Sequence, residues 1–269
     1  LDLTKLTKYL ADHLDGFSGE LEVSQFPSGF SNLTYLIKTG EKEYVLRRPP
    51  FGANIKGGHD MHREFRVLSA LKPVYSKVPK PVLFCDNHSV MGADFYLMER
   101  VKGVILRSQA PKDIELKPAL MRSISEACID NLADLHTMDL NAAGLADFGK
   151  PEGYTQRQVE GWVGRYYKSE TDKLPHMDVV AEWLQKHIPE QKYVSFIHND
   201  YKYDNLVLNP EKLDEIIAVL DWEMSTVGNP LMDLGTSLAY WAQADDSDAL
   251  KPFSLTWLPG NYTRNELVE

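Results

Sequence analysis

The chain has 269 residues, 43% of them hydrophobic and 25% charged, with a formal net charge of −10. This length suits one large domain or two smaller lobes and gives room for a sizeable core. The acidic balance argues against nucleic-acid binding, which relies on neutralising phosphates, and no apolar run of about 18 residues exists to span a membrane.

The excess acid lies almost entirely after residue 101, where it reads as a solvated surface or as an attraction for a cationic substrate. Two cysteines, Cys85 and Cys128, are too few for a disulfide framework and fit a reduced, cytoplasmic setting. No internal repeat or low-complexity tract interrupts the chain.

The first predicted element is an amphipathic helix with Leu3, Leu6, Leu10 and Leu14 on one face. Three strand-like runs follow at 20–26, 33–39 and 43–48, with Gly29 and Gly40 in the intervening turns, so the segment reads as an antiparallel meander. A helix over 60–71 carries Phe65, Leu68 and Leu71 at helical spacing, and strands are expected at 81–85 and 94–101. From about residue 115 the pattern turns helical. Leu120, Ile124, Cys128, Leu132 and Leu135 form one stripe, a second helix is expected to open at a Thr155–Gln158 capping box, and a third surrounds Val179–Leu184. On these helices Trp162, Tyr166 and Trp183 read as core residues. Strands return at "KYVSFI" (192–197), at Leu206–Asn209 and in "EIIAVLD", before a helix with Pro230 in its first turn. Thr263 and Glu266 have capping-box spacing and predict one more helix start. Because the chain also begins at Leu1, both ends are expected to be cut, with C-terminal sequence missing. The organisation is α+β in two lobes, residues 1–101 and 102–269.

The stretch "FIHNDYKYDNLVLN" places His198, Asp200, Asp204 and Asn205 between two strands, and the next strand run ends on Asp221. Oxygen ligands from Asn205 and Asp221 suit Mg²⁺, which leaves Asp200 free to act as a base, and this is the apparatus of phosphoryl transfer. The bland readings are a simple turn at Asp204–Asn205, a solvated edge at Arg47–Arg48 and a helix-end charge partner at His136. A metallohydrolase using His198, Asp200 and Asp221 needs a further nitrogen ligand, and no second His stands at ligand spacing.

"HNDYKYDN" with "IIAVLDWEMSTVGNPLMDLG" resembles the aminoglycoside phosphotransferase/choline kinase family, and is most similar to the phosphotransferase-like domain associated with acyl-CoA dehydrogenases. There "VLRRPP", "REFRVL", "YLMERVKG" and "RQVEGW" also have counterparts. The resemblance implies a protein-kinase-like fold binding ATP and Mg²⁺ between an antiparallel-sheet N-lobe and a mainly helical C-lobe. It implies that Asp200 is the base, that Asn205 and Asp221 bind Mg²⁺, that His198 shapes the catalytic loop and that Asp233 braces it. Arg47 takes the place of the usual phosphate-contacting Lys, with Glu64 as its partner. Ser28, Ser31 and Asn32 line a phosphate loop with a single glycine, and Glu99 and Val101 belong to the adenine hinge. Arg157 and Trp162 are the expected acceptor contacts. The implied acceptor is a small hydroxyl compound, a hydroxy acid or hydroxyacyl-CoA, with association with an acyl-CoA dehydrogenase. An aminoglycoside-type kinase is the alternative acceptor class. A non-catalytic nucleotide-binding pseudokinase is favoured by the single glycine and by Arg47, which is planar and bidentate where Lys is a point charge.

Overall fold

A computed structural model describes residues 1–26, 31–52 and 59–269. Ser28 and Gly29 lie outside the described residues. The N-terminal lobe opens with α1 (Leu3–His13), whose first turn is capped by the Asp2 carboxylate accepting from Lys5 N at 3.1 Å. Strands β1 (Glu22–Gln25), β2 (Leu33–Thr39) and β3 (Lys42–Arg48) form the expected meander, and Gly40 takes the left-handed conformation its tight turn requires (φ 57°). Next come α2 (Met61–Leu71), capped by Asp60, then β4 (Pro81–Cys85), the short α3 (His88–Met91) and β5 (Phe95–Glu99). The sheet runs β1-β2-β3-β5-β4, antiparallel throughout.

Strand alternation divides this sheet into two faces. Tyr44, Leu46, Phe95 and Leu97 turn to the α1 side and build a small core with Leu6 and Leu10. Val45, Tyr96 and Met98 turn to the other side, where α2 supplies Val67, Leu68 and Leu71. That second core continues without a break into the C-terminal lobe.

The C-terminal lobe holds α4 (Pro118–Thr137), α5 (Tyr154–Ser169), α6 (Pro175–Lys186), β6 (Ser195–Ile197), β7 (Leu206–Asn209), β8 (Lys212–Val219), β9 (Thr226–Gly228), α7 (Pro230–Tyr240) and α8 (Arg264–Val268). The α4 stripe packs Ile124, Cys128, Leu132 and Leu135 against Phe196, Val219 and Trp222. Two small antiparallel pairs, β6 with β9 and β7 with β8, form the floor of the interlobe cleft. The linker is stitched to this floor by Val104, which exchanges both backbone hydrogen bonds with Leu208 (2.9 and 2.8 Å). Gly103 lies so close that a Cβ there would stand 2.4 Å from the Leu208 carbonyl oxygen. None of the described helices is long and apolar enough to cross a membrane.

The structure departs from the sequence expectations in four places. The Thr155–Gln158 capping box does not form: α5 starts at Tyr154 behind a left-handed Gly153, and the buried Thr155 hydroxyl instead accepts from Asn229 Nδ2 at 3.0 Å. Trp162 and Trp183 are 58% and 57% exposed rather than in the core. β8 ends at Val219, so Asp221 stands beyond the strand, on a left-handed residue (φ 65°) that opens a 3₁₀ turn. The short α3 and β9 carry no sequence pattern strong enough to announce them. At the C-terminus the expected capping box between Thr263 and Glu266 is present.

Candidate phosphoryl-transfer site

Strand alternation delivers Arg47 to the α2 side of the sheet, beside Tyr96 on β5. One turn into α2, Glu64 faces it. Arg47 Nη1 donates to Glu64 Oε1 at 2.6 Å, and Nη2 crosses the cleft to Asp221 Oδ1 at 3.0 Å, with Glu223 Oε2 at 3.5 Å. The planar fork of Arg spans two carboxylates at once, which a lysine ammonium cannot do in fixed geometry. Glu64 is 1% exposed. Burial pushes its pKa up to about 7, opposed by Arg47 and reinforced by Asp221 and Glu223. Burial alone lowers the pKa of Arg47, but Glu64, Tyr96, Asp221 and Glu223 together hold it well above its ordinary value. Arg47 Nε, Glu64 Oε2 and the Tyr96 hydroxyl are buried with no hydrogen-bond partner among the described residues. Such groups are uncommon in packing that serves stability alone.

The loop after β6 is held from below. Asp233, fully buried on the first turn of α7, accepts from the backbone N–H of His198 and of Asn199, both at 2.7 Å, and from His136 Nε2 at 2.9 Å. The His198 ring joins loop to turn: its Nε2 donates to the Leu220 carbonyl at 2.9 Å, while Nδ1 accepts from Asp200 N at 3.2 Å. A carbonyl can only accept and an amide N–H can only donate, so these partners select the neutral Nε2–H tautomer. His198 thus serves the shape of the loop.

Both Asp200 oxygens are held by protein donors. Lys202 Nζ lies 2.9 Å from Oδ1, and Asn205 Nδ2 donates to Oδ2 at 2.9 Å and to the Asp200 carbonyl at 2.8 Å. Lys202 itself rests over the Tyr240 ring at 4.5 Å. Burial lowers the pKa of its ammonium, yet the bond to Asp200 and the charges of Asp200, Tyr240 and Asp204 together outweigh that and leave it raised. With its nitrogen turned to Asp200, the Asn205 amide keeps its oxygen unbonded among the described residues. The backbone bond Leu220 N to Asn205 O, 2.8 Å, sets this residue beside Asp221. Asp221 spends one oxygen on Arg47 and keeps the other unbonded among the described residues. An amide oxygen and a carboxylate oxygen are hard ligands that fit Mg²⁺, whose other positions are ordinarily filled by phosphate and water. Among the described residues no three His, Cys, Asp or Glu side chains gather as a metal cluster.

The remaining candidates separate. Asn32, nearly buried, donates to Glu223 Oε2 at 2.6 Å and bonds His59 Nδ1 at 2.8 Å, while the Ser31 hydroxyl lies 3.4 Å from the same ring. Glu99 ends β5 exposed, paired with Lys80 at 3.2 Å, and Val101 follows it half-buried. Arg157 turns back onto its own lead-in loop and donates to the carbonyls of Lys150 and Glu152. Trp162 stacks with Arg165 at 4.0 Å. Tyr154 of α5 does touch the loop after β6, its hydroxyl bonding the Asn199 side chain at 3.0 Å. Sequence reasoning passed over Glu223, Lys202 and Tyr154. The first two stand two residues after Asp221 and Asp200 respectively, a spacing that could have flagged them.

The phosphotransferase enzyme family model matches residues 22–267. Acyl-CoA dehydrogenase family member 11 of Rattus norvegicus is 39% identical over 246 residues, 89% of this chain and 31% of that protein. The chain spans a third or less of the length of the curated relatives it matches. A crystal structure from Ralstonia eutropha, a candidate aminoglycoside phosphotransferase, is 38% identical with a TM-score of 0.76, covering 89% of this chain and 70% of that one. The ternary complex of APH(2")-IIa with streptomycin and ATP shares the fold at 19% identity, TM-score 0.59, covering 96% and 80% of the two chains. With the match extending over both lobes, this chain belongs to the phosphotransferase enzyme family and has the protein-kinase-like fold of the aminoglycoside phosphotransferases.

Proposed function

We propose that the chain transfers the γ-phosphoryl group of ATP to a hydroxyl of a small molecule in a Mg²⁺-dependent reaction. The observation that carries this reading is the Asp200 carboxylate, fixed by Lys202 and Asn205 next to Asn205 and Asp221, each of which keeps one side-chain oxygen unbonded among the described residues. Asp200 accepts the acceptor's hydroxyl proton as its oxygen bonds to the γ-phosphorus and the β–γ bridging P–O bond breaks, releasing ADP. Asn205 and Asp221 would hold a magnesium ion, which would supply positive charge to the phosphates when bound. Arg47 keeps Glu64 and Asp221 aligned across the cleft and presents its guanidinium to the phosphates. Residues Ser31 and Asn32 border the phosphates, and Glu99 and Val101 the adenine. Catalysis of this kind rests on positioning and charge neutralisation.

The hairpin of α5 and α6 forms the acceptor's wall, with Arg157 and Trp162 on it. The rat relative's name directs attention to acceptors that an acyl-CoA dehydrogenase also handles, namely hydroxy acids or hydroxyacyl thioesters, and to association with such an enzyme. The test is thermal stability with and without Mg·ATP. At 100 times its dissociation constant a ligand adds about 2.7 kcal/mol, a rise of about 5 °C for a chain of this size. Asp221→Ala should lose the rise; Asp200→Asn should keep it yet fail to transfer phosphate to any acceptor the wild type accepts. A rise that survives Asp221→Ala undiminished refutes the site.

A further inference from the structure

Arg63 precedes Glu64 on α2 and reaches toward the C-terminal lobe. Its Nη1 donates to the Glu223 carbonyl at 3.1 Å and its Nη2 to the Ser225 carbonyl at 2.5 Å. The guanidinium lies over the Phe148 ring at 4.5 Å. Between those two carbonyls, that of Met224 accepts from Asn199 Nδ2 at 3.0 Å. Three successive carbonyls of the segment after Asp221 are therefore capped, two from α2 and one from the catalytic loop. The segment is itself closed by Ser225, whose N–H and hydroxyl both donate to the Trp222 carbonyl at 3.1 and 2.6 Å.

A half-buried guanidinium survives desolvation only where hydrogen bonds replace its water, and here the planar fork of Arg63 spans carbonyls two residues apart. These bonds join the helix that carries Glu64 to the turn that carries Asp221. Arg47 bridges the same two carboxylates, so the span it must cover is set by where α2 sits on that turn. We infer that Arg63 is a positioning residue that docks α2 on the Asp221 turn and fixes the Glu64–Arg47–Asp221 geometry before nucleotide binds. This rests on the nucleotide site proposed above.

Arg66 supplies an internal control. It lies over the same Phe148 ring at 5.3 Å and pairs with the exposed Asp147 at 3.8 Å, and it caps neither carbonyl. The experiment is calorimetric titration of folded protein with Mg·ATP, well below the melting transition, with folding checked by near-ultraviolet circular dichroism. Wild type should bind. Arg63→Ala should bind at least about tenfold more weakly, a loss of about 1.4 kcal/mol. Arg63→Lys, which can reach one carbonyl, should recover part of the affinity, and Arg66→Ala should match the wild type. A merely structural role would lower melting temperature and leave the affinity of the folded protein unchanged. Wild type that ignores Mg·ATP overturns the nucleotide-site reading and this inference with it. Wild type that binds, with Arg63→Ala equal to it, overturns only the positioning role, and so does an equal loss in Arg66→Ala. If Arg63→Ala does not fold, Arg63→Gln decides, since unchanged affinity there overturns the inference and weakened affinity supports it.

Discussion

Replacing Asp233 by alanine should be among the most damaging single changes to this chain. The carboxylate is fully buried and accepts three hydrogen bonds, at 2.7, 2.7 and 2.9 Å. Charge-assisted bonds contribute about 1.5–3 kcal/mol each, and a buried N–H left unpaired costs about 1–3 kcal/mol. His136, at the rim, can regain water, whereas the amides of His198 and Asn199 cannot. Counting mainly those two amides gives a loss of about 4 kcal/mol. Unfolding entropy of about 2 cal/mol/K per residue makes each kcal/mol worth about 2 °C in a chain of this length, so melting should fall by about 8 °C. Asp233→Asn keeps one acceptor but turns an amide nitrogen toward the second N–H, so more than half of the loss should persist. Calorimetric melting measures the first effect, and hydrogen exchange at the His198 and Asn199 amides measures its location. A fall under about 2 °C with both amides still protected would show that the loop is braced elsewhere.

Two further outcomes are expected. The pKa of Glu64 is raised from its ordinary 4.5 to about 7, so the folded state holds that proton more tightly than the unfolded chain. Its contribution is complete below about pH 4.5 and is lost as pH rises through about 7; Glu64→Gln should lack this fall when melting temperature is followed across that range. Gly103→Ala forces a methyl group against the Leu208 carbonyl at 2.4 Å. Overpacking of this kind costs about 1–3 kcal/mol, a drop of about 2–6 °C, and an unchanged melting temperature would mean the linker can shift away from β7.

What could be read from the sequence was whatever is local. β2 and β3 announce themselves by alternation, and the cap at Thr263 lies within three residues of the amide it serves. The cluster at 198–205 is equally local, and with Asp221 at the end of the next strand run it suggested phosphoryl transfer. The capping box expected at Thr155 failed because spacing does not reveal a competitor: Asn229, far along the chain, takes the hydroxyl. Arg63 escaped for the same reason, since the carbonyls it caps lie 160 and 162 residues away. Side chains that act on distant main-chain carbonyls leave no periodic trace. Trp162 and Trp183 misled differently. Large aromatic residues on helices usually seek burial, and α5 and α6 have little core to offer them.

That shallow attachment has its own consequence. α5 buries only Tyr154 and Thr155, both at its start, and α6 buries only Ala181. Beyond those contacts, side chains on the hairpin can be exchanged without opening a void in either lobe. On the proposed reading of this hairpin as the acceptor's wall, altered specificity arises at almost no expense to folding, whereas Asp233, Arg47 and Glu64 admit few replacements because each is enclosed. The architecture divides evolvability unevenly, with one wall open to innovation and the phosphate-facing side held still.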